Sequence, residues 1–180
     1  MQRIFASVGR GETDRLFRAL RDLPSADRHA GVEVVAPVLT VPRILEPALC
    51  RRLIEHYEAQ GGQPSGVMRQ VGAQTVGVLD DFKRRRDAHI VDEDLRQQLR
   101  ARIRHRLLPE IEKAFQFRAT RIERYIVACY DAEAGGYFRP HRDNTATATA
   151  HRKFAVSINL NAEAFDGGDL RFPEFGRRTY

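Results

Sequence analysis

Apolar residues return every fourth position from Leu95 to Phe115 (Leu95, Leu99, Ile103, Leu107, Ile111, Phe115), while Arg and Gln fill the other side. This spacing predicts an amphipathic helix over 92–115. Asp92, Glu93 and Asp94 suit its N-terminus, and Pro109 predicts a kink or break. A second helix is predicted over 46–60, with Leu49, Cys50, Leu53, Ile54 and Tyr57 on its apolar side, Pro47 in its first turn and Gly61-Gly62 as its stop. A third, over 12–23, would place Leu16, Phe17, Leu20 and Leu23 on one face. Arg3 to Ser7 reads as a short strand, and Val32 to Val41 as a β-rich run that Pro37 interrupts.

Beyond residue 120 the period changes from four to two. Residues 124–130, 137–142, 154–160 and 169–172 read as successive short strands, with Gly135-Gly136 and Gly167-Gly168 as turns between them. Helices first and antiparallel strands afterwards predict an α+β fold with a sandwich or barrel at its C-terminal end. Thr145 to Ala150 (TATATA) reads as a flexible loop. No internal repeat is visible.

Composition narrows the class. The 180 residues include 30 Lys+Arg against 24 Asp+Glu, two Cys and no Trp, with 42% hydrophobic residues. That is globular rather than disordered composition. Two Cys exclude a disulfide scaffold and a Cys₄ zinc site. No apolar run reaches the ~20 residues that cross a bilayer, and Met1 to Arg10 lacks the apolar core of a signal peptide, so a cytoplasmic location is expected. The net charge is +6, yet Arg is spread along the whole chain and interleaved with acids. Lys83 to Arg86 (KRRR) is flanked by Asp80, Asp81 and Asp87 and reads as a solvated face. The Arg face of the long helix lacks interleaved aromatics for base stacking. Nucleic acid is therefore not the expected partner.

His141-Arg142-Asp143 is the one group that stands out as candidate chemistry. On an extended backbone, residues i and i+2 face the same way, so His141 and Asp143 can present a nitrogen and a carboxylate oxygen to one point. With a third donor they would form the facial triad of non-haem Fe(II) oxygenases. The tripeptide alone is a weak signal, since a surface ion pair would look the same.

Its context is stronger. Ile126 to Asn144 (IVACYDAEAGGYFRPHRDN), followed by FAVSINLN (Phe154 to Asn161) and FDGGDLRFPEFG (Phe165 to Gly176), resembles the prolyl-hydroxylase type of 2-oxoglutarate- and Fe(II)-dependent dioxygenases. The resemblance covers residues 120–180, and 75–90 more loosely. It implies a double-stranded β-helix, or jelly roll, supported by N-terminal helices. It implies His141 and Asp143 as iron ligands, Tyr130 and Asn159 at 2-oxoglutarate, and Tyr137 on the substrate side. The implied cofactors are Fe(II) and the co-substrate 2-oxoglutarate, with ascorbate as accessory reductant. The partners are dioxygen and a protein, peptide or small-molecule substrate.

The family also calls for a second His and a downstream basic residue that pairs with 2-oxoglutarate. His151 and Arg177-Arg178 are the downstream His and basic pair in this sequence. The expectation is thus a chain holding only the first half of the jelly roll and incomplete as an enzyme. Residues 1–30 would be an extension or a remnant of an upstream unit, 31–119 the support region, and 120–180 the first barrel strands. The alternative is a non-catalytic basic binding module or decayed remnant.

Overall fold

The structure is a computed structural model that describes Gly9, residues 11–23 and residues 35–180. The strand expected over Arg3–Ser7 lies outside the described residues, as do positions 32–34 of the β-rich run. Two compact units divide the chain, the larger spanning Leu39–Gly168.

Four α-helices are described: α1 (Thr13–Arg21), α2 (Pro47–Gln60), α3 (Glu93–Arg102) and α4 (Leu108–Phe115). α2 starts with Pro47 in its first turn and stops at Gly61, whose φ of 74° is a left-handed cap. At α3 the Asp92 side chain accepts from the Leu95 amide at 3.1 Å, satisfying one of the amides that a helix start leaves without a partner.

The single long helix expected over 92–115 is instead three pieces, because a π-helical segment, Ile103–Leu107, joins α3 to α4. The apolar spacing supplies the reason. Four residues overshoot one α-helical turn, so a strict period of four drifts around an ideal α-helix. A π segment bonds i to i+5, takes in an extra residue, and brings the row back toward the core. Leu107 and Ile111 beyond it are accordingly buried, as Leu95 and Leu99 are before it. Pro109 sits in the first turn of α4, where its missing N–H costs little.

The strands are short and antiparallel. In the larger unit, β1 (Gln63–Pro64), β5 (Arg86–His89) and β6 (Ile126–Cys129) form one sheet in the order β1-β5-β6. β2 (Val67–Val71) and β3 (Gln74–Val78) make a hairpin, and β4 (Lys83–Arg84) pairs with β7 (Tyr137–Phe138). Ala88 opposes Val127 across β5 and β6, and both are buried. Val127 joins Ile44, Leu45, Leu49, Leu53, Ile90, Leu95, Leu99, Leu107 and Ile111 in one core. Asp87, one residue from Ala88, points to the opposite sheet face and is buried there among polar groups.

The fold is thus mixed α and β with small antiparallel sheets, and no closed barrel forms among the described residues. Three expected strands are corrected. Residues 137–142 form a strand only at Tyr137–Phe138, since Pro140 lacks a donor for the ladder. Residues 154–160 enter no ladder, although Phe154, Ile158 and Leu160 rest on the core. Residues 169–172 give a single bridge, Arg171 to Thr179. Residues 35–41 form no strand either. The TATATA segment is no loose loop: it contains a 3₁₀ turn, Thr147–Thr149, with Ala146 and Thr149 buried. The Thr149 hydroxyl donates to the Ala146 carbonyl at 3.0 Å.

The smaller unit contains α1 and the segment 169–180. The Leu170 and Tyr180 backbones exchange hydrogen bonds at 3.0 Å, and the Tyr180 hydroxyl accepts from the Ala36 amide at 2.9 Å. α1 forms where the pattern predicts it, but Phe17 and Leu20 on its apolar side are exposed. Among the described residues, no helix is long and apolar enough to cross a membrane.

Candidate metal site

The chain leaves β6 at Cys129, passes Tyr130, and returns through a tight loop into β7. Asp131 shapes that loop by accepting the amides of Glu133 and Ala134 at 2.8 and 3.2 Å. Gly136 closes it: a Cβ there would stand 2.8 Å from the Tyr130 Cα, so only glycine permits this approach. β7 then delivers Phe138, and His141 folds back onto it. The two rings stack at 3.6 Å and 22°, with Phe82 edge-on to the imidazole at 6.4 Å.

His141 and Asp143 do converge. His141 Nε2 lies 3.3 Å from Asp143 Oδ1, with both side chains partly open to solvent. The other ring nitrogen, Nδ1, sits 2.7 Å from the Arg139 carbonyl. A carbonyl only accepts, so Nδ1 carries the proton. The second ring nitrogen, Nε2, then faces a carboxylate oxygen. Two electron-rich atoms at this distance call for a cation between them, either a proton or a metal ion. An imidazole oriented through its second nitrogen is the usual arrangement of a metal-bound histidine. Two donors held at a right angle about 2.1 Å from one ion lie about 3 Å apart, close to the separation seen.

Asp143 is tethered from behind. Arg152 Nη1 donates to the Asp143 carbonyl at 3.2 Å, and the same guanidinium grips Glu123 through Nε and Nη2 at 2.6 and 2.5 Å. Arg152, with smaller help from Arg124 and His151, holds the Glu123 carboxyl down to about 2. His151 Nε2 lies 3.1 Å from the same carboxylate, which accounts for the downstream histidine outside the His141–Asp143 pair. The sign of the pH effect follows from a depressed carboxylate. The clamp is complete above pH 4.5 and is lost as pH falls through about 2. We expect the Arg152 Nε–H resonance to stay protected from exchange well below pH 4.5 and to lose protection as pH falls through about 2. Glu123→Gln should lose that protection already at neutral pH, with a stability cost below ~1 kcal/mol because the pair is exposed.

The remaining expected residues fall as follows. Tyr130 stands half-exposed directly after β6, its hydroxyl accepting weakly from Arg85 Nη1 at 3.4 Å and its ring 5.7 Å from that guanidinium. The Tyr137 hydroxyl is pinned, donating to the Asp81 carbonyl at 2.5 Å. Asn159 is exposed, and among the described residues no hydrogen bond links it to His141, Asp143 or Tyr130. Among the described residues no group of three or more His, Cys, Asp and Glu is placed to hold a metal.

Sequence reasoning missed one feature. The KRRR run is not a solvated face, because it alternates: Lys83 and Arg85 point inward with Asp87, while Arg84 and Arg86 point out. Arg85 forks onto Asp87 at 2.6 and 2.7 Å, and the Ser65 hydroxyl donates to the same carboxylate at 2.5 Å. Lys83 Nζ donates to Ser65 Oγ at 2.5 Å and to the Gly66 carbonyl at 3.2 Å. Burial and the neighbouring Arg85 bring the Lys83 ammonium down to about 8. The signal was the period of two, with charged residues on both phases of a strand. On the long helix, Arg102 and Arg106 are engaged by Glu46 at 3.1 and 2.5 Å, so part of that basic face serves the fold.

No family model matches the chain, and neither the curated proteins nor the solved structures contain a match.

Proposed function

We propose that the chain carries the iron-binding corner of a 2-oxoglutarate- and Fe(II)-dependent dioxygenase that hydroxylates a C–H bond of a peptidyl prolyl group or a small molecule. The observation that supports this reading is His141 Nε2 facing Asp143 Oδ1 at 3.3 Å, with Nδ1 engaged by a carbonyl. A mixed nitrogen and oxygen donor pair suits Fe(II). Bound Fe(II) and 2-oxoglutarate would supply dioxygen activation, coupling oxidative decarboxylation of the co-substrate to hydroxylation of the substrate.

The chain's own residues have defined parts in this. Phe138 and the Arg139 carbonyl fix the imidazole plane, so that Nε2 needs no reorientation to bind. Asp143 supplies the negative charge, and Arg152 holds its backbone. Tyr130, half-exposed beside Arg85, offers a hydroxyl proton to an oxygen of the co-substrate. Asn159 and Tyr137 keep the parts that the sequence resemblance implies, near the co-substrate carboxylate and on the substrate side. A third protein donor is required for a facial set.

The test uses Mn(II) as a paramagnetic stand-in, followed by water-proton relaxation. Adding 2-oxoglutarate should tighten Mn(II) binding at least about fivefold, because a chelating oxo-acid adds two donors to the ion. Succinate, which lacks the keto oxygen, should tighten it less. Equal binding with and without 2-oxoglutarate would sink the proposal.

A further inference from the structure

In the helical run 93–115 nearly every Asp, Glu, Lys and Arg has a partner of opposite sign. Asp94 meets Arg52, Glu93 meets Arg96 and Arg100, Glu46 engages Arg102 and Arg106, and Glu110 meets Lys113. Arg104 and Glu112 are the exceptions: among the described residues neither side chain makes an ion pair or a hydrogen bond. Both line one surface cavity of about 220 Å³, and so does Arg118, whose side chain is equally without a partner among the described residues. Leu108, Pro109 and Ala119 complete the lining.

The backbone brings these three charges to one cavity. Arg104 sits in the π-helical segment and Glu112 in the last turn of α4, eight residues and roughly 12 Å apart along the helix axis. Gln116 then takes a φ of 52°, a left-handed conformation that ends α4 and turns the chain, so that Arg118 and Ala119 come back to the same cavity. The Gln116 side-chain amide donates to the Glu112 and Lys113 carbonyls at 3.5 and 3.2 Å and so fixes the turn. Two cations and one anion around a single small volume, none in contact with another, leave a charge pattern that a ligand can complement.

We propose that this cavity binds an acidic α-amino acid. Its two carboxylates meet Arg104 and Arg118, since a guanidinium fork matches a carboxylate, and its ammonium meets Glu112. The C-terminal end of α4 favours a cation at that same place. Leu108, Pro109 and Ala119 offer apolar surface to the methylene groups. The charge count decides the class. A dicarboxylate without an amine, or a phosphate, is repelled by Glu112, and a neutral amino acid leaves one guanidinium unused. The volume also suits so small a ligand, because pockets for drug-sized molecules begin at roughly 300 Å³. The cavity shares no residue with the His141–Asp143 pair, so the proposal stands independently of the metal reading.

The experiment titrates the metal-free chain separately with L-glutamate, glutarate and inorganic phosphate, following the Leu108 and Ala119 methyl resonances. L-glutamate should shift both saturably and bind at least about threefold more tightly than either other probe. Arg104→Gln and Arg118→Gln should each weaken L-glutamate about fivefold, as expected for one exposed ion pair. Glu112→Gln should act in opposite directions on two probes. It should weaken L-glutamate about fivefold and tighten glutarate, because it removes an attraction from the first and a repulsion from the second. All three side chains are exposed, so these variants should keep the fold, which the dispersion of the other methyl resonances checks. The wild-type order of the three probes tests the proposal even where a variant fails to fold. Glutarate or phosphate binding more tightly than L-glutamate would make the cavity a simple anion site and overturn the proposal. Unsaturable shifts, or unchanged L-glutamate affinity in Glu112→Gln, would overturn it as well.

Discussion

Replacing His141 with Ala is expected to weaken divalent-metal binding at least tenfold while leaving the fold intact. Even outer partners of metal ligands commonly contribute ten- to a hundredfold to affinity, so tenfold is a floor for a direct donor. Asp143→Asn, which keeps the shape and removes the charge, should fall in the same range. Stability should hardly follow. The His141 ring is partly exposed, and its removal forfeits one stack on Phe138, worth about 0.5–1.5 kcal/mol. Two measurements on each variant check this, a Mn(II) titration and a thermal melt. Wild-type affinity in both variants would place any bound metal elsewhere. Lost affinity accompanied by a collapsed melting transition would assign the pair a structural role.

The second large effect is in the core. Ile90→Ala should cost roughly 2–5 kcal/mol, a large part of the 5–15 kcal/mol that holds most domains folded. Ile90 is 2% exposed and packs in the cluster that α2, α3 and β6 share. Its backbone is fixed on both sides: the amide donates to the Tyr125 carbonyl at 3.0 Å, and its carbonyl accepts from Arg96 Nε at 2.5 Å. The backbone therefore cannot collapse into the cavity the truncation leaves. For a chain of this size the midpoint should fall by roughly 2–4 °C for each kcal/mol. Val91→Ala is the control. Val91 is 67% exposed, so the same kind of truncation one residue away should change stability by less than about 0.5 kcal/mol. Equal shifts at both positions would contradict the core assignment.

How much of this was legible in the sequence can be judged from particular elements. Helices α1 and α2 lie where period and punctuation place them, because Pro47 and Gly61 act through their own backbone preferences. The row from Leu95 to Ile111 was readable as a buried face, and its strict period of four contained the π segment for a reader who tested the drift. Strand β6 was also readable from its run of β-favouring residues, Tyr125-Ile126-Val127, although its burial does not alternate cleanly. Residues 154–160 show the limit. Alternation qualifies a segment for a strand, but a strand exists only if a partner offers its donors and acceptors, and that partner is remote in sequence. The jelly roll implied by the resemblance is subject to the same limit, as pairing here stops at small antiparallel sheets.

The candidate site divides the same way. The sequence by itself determined that an imidazole and a carboxylate, His141 and Asp143, stand two residues apart, because identity and spacing are local. It determined as well the boundaries of α2 and the apolar faces of α2 and of the row from Leu95 to Ile111 that build the core. Only the tertiary structure decided that the Arg139 carbonyl takes the Nδ1 proton, that Phe138 fixes the ring, and that Arg152 and Glu123 tether the next turn. It alone turned Lys83 from one charge in a basic run into a half-buried ammonium that donates to Ser65 and the Gly66 carbonyl. The physical reason is that charge balance and hydrogen-bond satisfaction depend on which groups share a volume. Ser65, Lys83, Asp87 and Tyr130 come to share one only after β1, β4, β5 and β6 have been brought together.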